Sequence, residues 1–310
     1  MVSQAQPMPT TIAHAGRGRT RRRVTWLPYA LALPLLAYEA LFILYPIFQG
    51  IRASFTKQTV GRPAEWVGTA NYRRMLTDDD FWQVMGTTLL YMVLVIVVAV
   101  GFGLGSALML NRPFHGRSGA RAIVTLPWAF PDVPTVLIFL WMLNPNFGVM
   151  NVLAQWMPWV GDNPSWLFDP NLALGWVVFI TAWKGFPFYS LVILAALQSV
   201  PHELTEAARL DGAGKVQTFW AVTLPAIMPT LLLLTVLASI YSFKQFTVIW
   251  LLTGGGPSNA TETIALRVYQ TAFRFYNFPY ASTLGVAGFV MALTVALVFL
   301  AVQRRQEMEM

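Results

Sequence analysis

Few side chains in this sequence are placed to make or break bonds. The three histidines, His14, His115 and His202, never pair at the spacing of metal ligands. The chain has no cysteine, which excludes disulfides, thiolate metal sites and cysteine nucleophiles. It contains no G-x-x-x-x-G-K-[ST], no H-E-x-x-H and no G-x-S-x-G, so neither a phosphate loop nor an intramembrane hydrolase is expected. We assign no catalytic residue and no metal ligand. Three ionisable residues, Glu39, Lys184 and Lys244, fall inside apolar stretches. An ion-coupled pump needs a carboxylate or histidine relay in the membrane, and one lone glutamate is thin support for that. The stretch with a task to perform is Glu206-Ala207-Ala208-Arg209-Leu210-Asp211-Gly212-Ala213, running on to Thr223-Leu224-Pro225. It is amphiphilic, and it lies between two very apolar segments, residues 176–197 and 225–240. Its chemistry is mechanical: a polar hinge between two membrane spans is where something outside the bilayer can push.

The elements that position this hinge follow from composition. The chain of 310 residues is 56% hydrophobic and 11% charged, against about 25% charged in an ordinary soluble domain. Its mean hydropathy is positive, which marks a polytopic membrane protein. A net charge of +7 raises the question of nucleic acid, but the basic residues lie in short loops between spans, where membrane topology accounts for them. Nucleic-acid binding is not expected. A spanning helix needs ~20 mostly apolar residues. Six stretches qualify: 27–51, 84–110, 121–143, 172–197, 225–250 and 281–303. Prolines in or at the ends of these spans (Pro28, Pro34, Pro46, Pro127, Pro131, Pro134, Pro187) predict bends, since neighbouring helices and hydroxyls can satisfy the backbone groups that proline frees.

Orientation comes from the loops. With the amino terminus inside, the inner segments hold more Lys and Arg residues than the outer loops, which places both termini and the Glu206 loop in the cytoplasm. Residues 1–25, with Arg17, Arg19, Arg21, Arg22 and Arg23, read as a cytoplasmic tail. The apolar stretch that follows them is too long for a signal peptide and has no clear cleavage site. The expected organisation is therefore tail 1–25, transmembrane domain 26–303 and cytoplasmic tail 304–310. On the outer side, Asp78-Asp79-Asp80 reads as a helix cap and solvated turn rather than a cation site. Aromatics in residues 144–171 suit the membrane interface. Thr253-Gly254-Gly255-Gly256-Pro257 reads as a flexible turn closing the fifth span.

From about Pro201 a helix can begin, because proline is favoured in the first turn. Gly212 and Gly214 then break it, and a second short helix fits residues 215–222. In the fifth span Ala238, Tyr241, Ser242 and Gln245 recur at i, i+3, i+4 and i+7 and share one face. Gly185 and Phe188 stand one turn apart in the fourth. An aromatic ring, a hydroxyl and an amide beside small residues suit a sugar: rings take C–H faces and neutral groups take hydroxyls. The same residues would equally serve as packing and polar glue between helices.

The hinge carries a family resemblance. Glu206-Ala207-Ala208, Gly212, Val222 and Leu224-Pro225 match the pattern E-A-A, three residues, G, nine residues, a branched aliphatic, one residue, L-P. Val222 stands where that pattern usually has Ile, and Asp211-Gly212-Ala213 fits its D-G-A core. The sequence thus resembles the permease subunit of binding-protein-dependent ABC importers. Gly68-Thr69-Ala70-Asn71-Tyr72, Trp183-Lys184-Gly185-Phe186-Pro187-Phe188 and Leu252-Thr253-Gly254-Gly255-Gly256-Pro257 are similar to its carbohydrate branch, and the glycine turn to the subunit type of the larger maltose-transporter permease. This chain lacks that subunit's additional spans and large outer domain.

The resemblance implies an all-α inner-membrane protein of six transmembrane helices with a cytoplasmic E-A-A coupling loop. It implies four kinds of partner: a second homologous permease, two copies of a cytoplasmic ATPase, an extracytoplasmic sugar-binding protein and membrane lipid. It implies that Glu206, Ala207, Ala208, Asp211, Gly212, Ala213, Leu224 and Pro225 form the coupling loop. Glu206 would meet a basic residue of the ATPase, and ATP and Mg would be bound by that partner, with no cofactor in this chain. It also places Gly185, Phe188, Ala238, Tyr241, Ser242 and Gln245 at substrate-contacting positions, Ser242 and Gln245 departing from the family's amides. The implied function is non-catalytic: import of a di- or oligosaccharide by alternating access in a bacterial or archaeal cytoplasmic membrane. The alternatives are a glycerophosphate-like anion as cargo or, in a different class, an ion-coupled secondary transporter.

Overall fold

The computed structural model describes residues 26–58, 63–156 and 164–309; the amino-terminal segment 1–25 with its arginine cluster lies outside them. The chain divides into two compact units, Met1–Ile47 and Phe48–Met310. The helices in chain order are α1 Leu27–Glu39, α2 Tyr45–Ser54, α3 Ala70–Leu76, α4 Asp79–Asn111, α5 Arg117–Ala129, α6 Asp132–Met142 and α7 Val149–Ala154. They continue as α8 Pro170–Ser199, α9 His202–Leu210, α10 Lys215–Thr218, α11 Leu224–Lys244, α12 Thr247–Leu252, α13 Ile264–Tyr269 and α14 Phe278–Glu309. A two-residue ribbon, Thr56–Lys57 against Glu65–Trp66, is the one pairing of strands among the described residues. The protein is all-α and polytopic. Five helical stretches are long and apolar enough to cross a membrane by themselves: Tyr29–Ser54, Asp79–Asn111, Pro170–Ser199, Lys215–Lys244 and Phe278–Ala301.

Three expectations about the spans change. The third expected span, 121–143, is not one helix: α5 and α6 meet at 94°. The cause is the run Pro127, Pro131, Pro134, since proline removes a backbone donor and clashes with the turn before it. The fifth, expected over 225–250, ends at Lys244, and α12 begins a new helix at Thr247. The short helix expected over 215–222 is no separate element. Residues 215–244 are helical throughout, with a π turn at Phe219–Thr223 between α10 and α11. In this π turn Leu224 N–H donates to Phe219 O, one residue farther back than an α-helix would reach, and Pro225 follows at once. The same arrangement occurs at Ala40–Leu44, where Tyr45 N–H donates to Ala40 O immediately before Pro46. In both places the wider turn opens where proline cannot complete the α ladder. The last helix, α14, runs to Glu309 and carries the spanning stretch Phe278–Ala301.

Within the second unit, α4 and α8 form the central seam. Lipid tails are as apolar as leucine, so close packing and hydrogen bonds hold such helices together. Ala99, Gly103 and Ala107, four residues apart on α4, are buried and let α8 approach. A Cβ on Gly103 would lie 2.7 Å from Tyr189 Cβ and 3.1 Å from Ser190 N. Tyr91 Oη donates to Thr181 Oγ1 at 3.0 Å, and Ser106 Oγ to Ser190 Oγ at 2.8 Å; such bonds contribute ~0.6 kcal/mol each in a membrane protein.

The end of the bundle opposite the Glu206 loop is tied by polar side chains. Asn71 Nδ2 donates to Ser54 O and Thr56 O, both at 2.8 Å, so the Gly68–Tyr72 motif clips α3 to the end of α2. Gly68 there takes φ +57°, a conformation glycine adopts freely. Asp78 caps α4 by accepting from Asp80 N–H at 3.1 Å and also accepts from Tyr280 Oη at 3.1 Å. The glycine turn expected to be flexible is instead pinned. Gln270 Nε2 donates to Gly254 O at 3.1 Å, Thr253 Oγ1 and Thr261 Oγ1 are 2.7 Å apart, and a Cβ on Gly255 would lie 2.9 Å from Leu266 Cδ2. Beside it Arg267 pairs with Glu262 at 3.2 Å and with Asp80 at 3.1 Å. Glu262 is almost wholly buried. Burial pushes its carboxyl above the usual range, and the Arg267 guanidinium only partly offsets this.

Two predictions follow from this packing. Gly103→Leu forces Tyr189 away from α4 and should lower stability by about 1–3 kcal/mol, seen as a lower thermal midpoint in detergent. Gly105→Ala, with open space around its Cβ, should not lower the midpoint, since alanine is the better helix former. For Glu262 the folded pKa lies above the unfolded one, so the ionised form is a cost that disappears as pH falls through the folded value. Glu262→Gln should therefore raise the midpoint at neutral pH, and the difference from wild type should shrink toward pH 4.5. A loss of stability at pH 7 in this variant would contradict that sign.

Candidate functional site

Two regions of the second unit gather the residues singled out in the sequence. The first is the Glu206 loop. Pro201, in extended geometry, starts α9, which carries Glu206, Ala207 and Ala208 and ends at Asp211. Gly212 then takes φ +86°. Its N–H donates to Arg209 O at 3.0 Å, and Ala213 N–H donates to Ala208 O at 2.9 Å. These two bonds form a Schellman turn, which needs a left-handed residue at Gly212. The turn explains the D-G-A core physically: Ala208, Gly212 and Ala213 are joined by the bonds that close the helix. Gly214 N–H then donates to Gln217 Oε1 at 2.9 Å and begins the next helix. No residue of α9 is buried. Leu210 is 88% exposed, and Leu204, Val216 and Trp220 are exposed as well. Val222 and Leu224 are half-buried, and Pro225 is exposed at the start of α11. A polar, carboxylate-bearing loop with large apolar side chains on its surface has the composition of an interface. Behind it lies a cavity of about 670 Å³, lined among others by Arg112, His202, Arg209 and Lys215.

The second region lies midway along the bundle. A cavity of about 410 Å³ is lined by Trp128, Lys184, Gly185, Phe188, Tyr189, Leu237, Ile240, Tyr241 and Lys244. Of the expected path residues it brings together Gly185, Phe188 and Tyr241. The other three face elsewhere. Ala238 and Ser242 are buried at 0% and 1% exposure and Gln245 at 6%. Ser242 Oγ donates to its own helix at Ala238 O (2.8 Å), and Gln245 Nε2 donates to Tyr241 Oη at 3.2 Å. The face of α11 open to the cavity is Leu237, Ile240, Tyr241 and Lys244. It has the same helical spacing as the expected face and is rotated by about one residue.

The two lysines of this cavity are held differently. Lys184 is 8% exposed, and its Nζ lies 2.8 Å from Asp132 Oδ1 while donating to Phe130 O at 2.6 Å. The need for this is local. In a continuous helix Phe130 O would accept from residue 134, but that residue is Pro134 and has no N–H. Lys184 therefore satisfies a carbonyl exposed by the break between α5 and α6 and, through Asp132, holds the start of α6. Asp132, which the sequence reading did not single out, is the partner of a lysine that lines the cavity. The signal was present: an acidic residue opening an apolar helix in a chain with few charges. Lys244 forms no ion pair among the described residues. Its Nζ stands 6.0 Å from the Tyr241 ring centroid, at the outer range of a cation–π contact. Lys244 ends α11, where the carbonyl end of the helix favours a cation by roughly 0.3–1 kcal/mol. Glu39, the carboxylate that an ion-coupled carrier would need, is exposed on α1. No group of histidines and carboxylates suited to a metal occurs among the described residues.

The sequence and the fold are similar to those of known transport proteins. Residues 99–309 match the family model described as the binding-protein-dependent transport system inner membrane component. The chain is 33% identical to the sulfoquinovosyl glycerol transport system permease protein SmoG of Agrobacterium fabrum, over 96% of this chain and 99% of that protein. It is also 33% identical to the trehalose/maltose transport system permease protein MalF of Thermococcus litoralis, over 92% and 96%. Among solved structures, a chain of a bacterial alginate ABC transporter, in complex with an alginate pentasaccharide-bound periplasmic protein, superposes with TM-score 0.78. It is 25% identical, with 90% of this chain and 94% of that chain covered.

The Lys184 contacts predict an order of effects. Lys184→Met leaves Asp132 unpaired and Phe130 O without a donor. It should cost roughly 2–3 kcal/mol, less than a fully buried pair because Asp132 is over a third exposed. Asp132→Asn should cost less, since Lys184 keeps the carbonyl. Lys184→Met combined with Asp132→Leu should recover part of the loss. Thermal midpoints of the purified variants test the order.

Proposed function

We propose, from the premise that this chain belongs to the family of binding-protein-dependent transport system inner membrane components, that its exposed loop 202–214 is the seat of an ATPase and that the bundle passes a sugar inward. The chain is a multi-pass ABC transporter permease for sugar transport, and as a permease subunit it does no catalysis. The finer reading is that two homologous permeases enclose one path and that two copies of a cytoplasmic ATPase, which hold ATP and Mg, dock on the paired loops. An extracytoplasmic binding protein delivers the sugar to the opposite end. Both termini lie in the cytoplasm, in keeping with the basic bias of the loops.

The observation that carries this reading is the Glu206 loop itself. It is rigidly built by the turn at Gly212, yet it leaves Leu210, Leu204 and Trp220 exposed. Closure of the ATPases would move the two loops together and turn the spans outward. A sugar that bound both facing states equally would shift nothing, so the outward state accepts it and the inward state holds it weakly. Gly185, Phe188 and Tyr241, with Ala238, Ser242 and Gln245 behind them, form this chain's share of the path. The cargo of the relatives named above, sulfoquinovosyl glycerol and trehalose or maltose, supports a sugar of a few units. The ion-coupled alternative lacks a buried carboxylate relay among the described residues: Glu39 is exposed, and Asp132 pairs with Lys184.

The test is recovery of partners from native membranes. The wild-type chain should bring down an ATPase and a second permease. Glu206→Ala and Gly212→Val should lose most of the ATPase and keep the second permease. At Gly212 the left-handed conformation costs a side chain about 1–2 kcal/mol, and the turn should open. Transport by the chain alone, in liposomes without ATP, would end this reading.

A further inference from the structure

We propose that the sugar carried by this protein bears an acidic group, and that Lys244 is the residue of this chain that reads it; the inference rests on the importer reading above. The cavity of about 410 Å³ holds two lysines and no carboxylate among its lining residues. Lys184 is spoken for, with Nζ engaged by Asp132 Oδ1 and Phe130 O and only a tenth of its side chain exposed. Lys244 has neither constraint. It is exposed in the isolated chain and forms no ion pair among the described residues.

Depth sharpens the point. Lys184 lies at the middle of the 30-residue helix α8, roughly 21 Å from either end, and Lys244 lines the same cavity. Lys244 closes the spanning stretch Lys215–Lys244, and an ionisable residue of such a segment that faces a cavity marks a substrate or ion pathway. The surroundings choose between cargoes. Trp128, Phe188 and Tyr241 present ring surface to the same space, which suits the C–H faces of a sugar ring and gives a bare inorganic anion nothing to bind. A carboxylate, sulfonate or phosphate on that ring would complete the charge. A lysine meets any of these as a point charge, without the fork geometry by which arginine selects planar anions. Lys244 therefore requires an anion on the cargo without fixing which one.

The complete transporter, with its second permease, ATPase and binding protein, would be reconstituted in liposomes. It would be offered a mixture of neutral di- and trisaccharides, their uronate-bearing counterparts and sulfonated glycosides, and the solutes trapped in an ATP-dependent way would be identified by mass. The expected result is enrichment of anionic solutes. Lys244→Met should reduce their uptake roughly tenfold, the loss of one charge-assisted contact, and Lys244→Arg should restore most of it. Accumulation of neutral sugars alone overturns the role of Lys244 and leaves the importer reading standing. Accumulation of nothing from the mixture counts against the sugar-importer reading itself. If Lys244→Met instead releases the second permease from the purified complex, the cation serves a subunit contact and the proposal fails.

Discussion

Inside a bilayer every backbone donor and acceptor must find its partner within the protein, because no water is there to supply one. This chain makes that condition hard to meet by placing prolines in its spans, and much of its architecture is the response. Before Pro46 and Pro225 the ladder widens into a π turn, so that the residue preceding proline reaches one carbonyl farther back. Between α5 and α6, where the prolines are too closely spaced for that remedy, the helix breaks and Lys184 donates across to Phe130 O. A buried lysine would be an oddity anywhere else in such a chain. Here it is what the broken helix requires, and Asp132 keeps its charge from being stranded.

Much of this was legible in the sequence, and the failures share a cause. Six apolar stretches could be located because each is long and bounded by polar loops, and the Glu206 motif stood out because it is the polar interval between two of them. The glycine in that motif read correctly as a helix breaker, since a left-handed residue closing a helix needs no tertiary information. The rotation of α11 was not legible. Polar side chains lie on both of its faces, Ser239 and Ser242 on the packed one and Tyr241 and Lys244 toward the cavity, so polarity alone did not tell the faces apart. Of the face expected from the sequence, Tyr241 borders the cavity while Ala238, Ser242 and Gln245 are buried beside it. Ser242 and Gln245 looked like free polar groups but are satisfied by their own helix and by Tyr241.

The break at Pro131 and the role of Asp132 were missed for a different reason: the partner of Asp132 lies 52 residues away on another helix, and proline alone predicts a bend without its size. The glycine turn at 254–256 misled in the opposite sense. Glycine there was read as freedom, whereas Gly255 is required by the close approach of Leu266, and Gly254 offers its carbonyl to Gln270. Glycine permits a conformation, and only the neighbours decide whether that conformation is then fixed.

Residues 215–244 are one unbroken helical rod of roughly 45 Å. Its first turn abuts the Gly212 bend, and its last turn carries Tyr241 and Lys244. Anything that grips the loop thus holds one end of a shaft whose other end forms part of the cavity wall. A tilt of only five degrees about the loop end would carry the far tip about 4 Å at that length. The π turn at Phe219–Thr223 sits near the gripped end, where the ladder is weakest and the leverage longest. The prolines at this end of the shaft set the gearing: Pro225 follows the π turn at once, and Pro229 interrupts the ladder again one turn later, so the compliance is gathered near the loop.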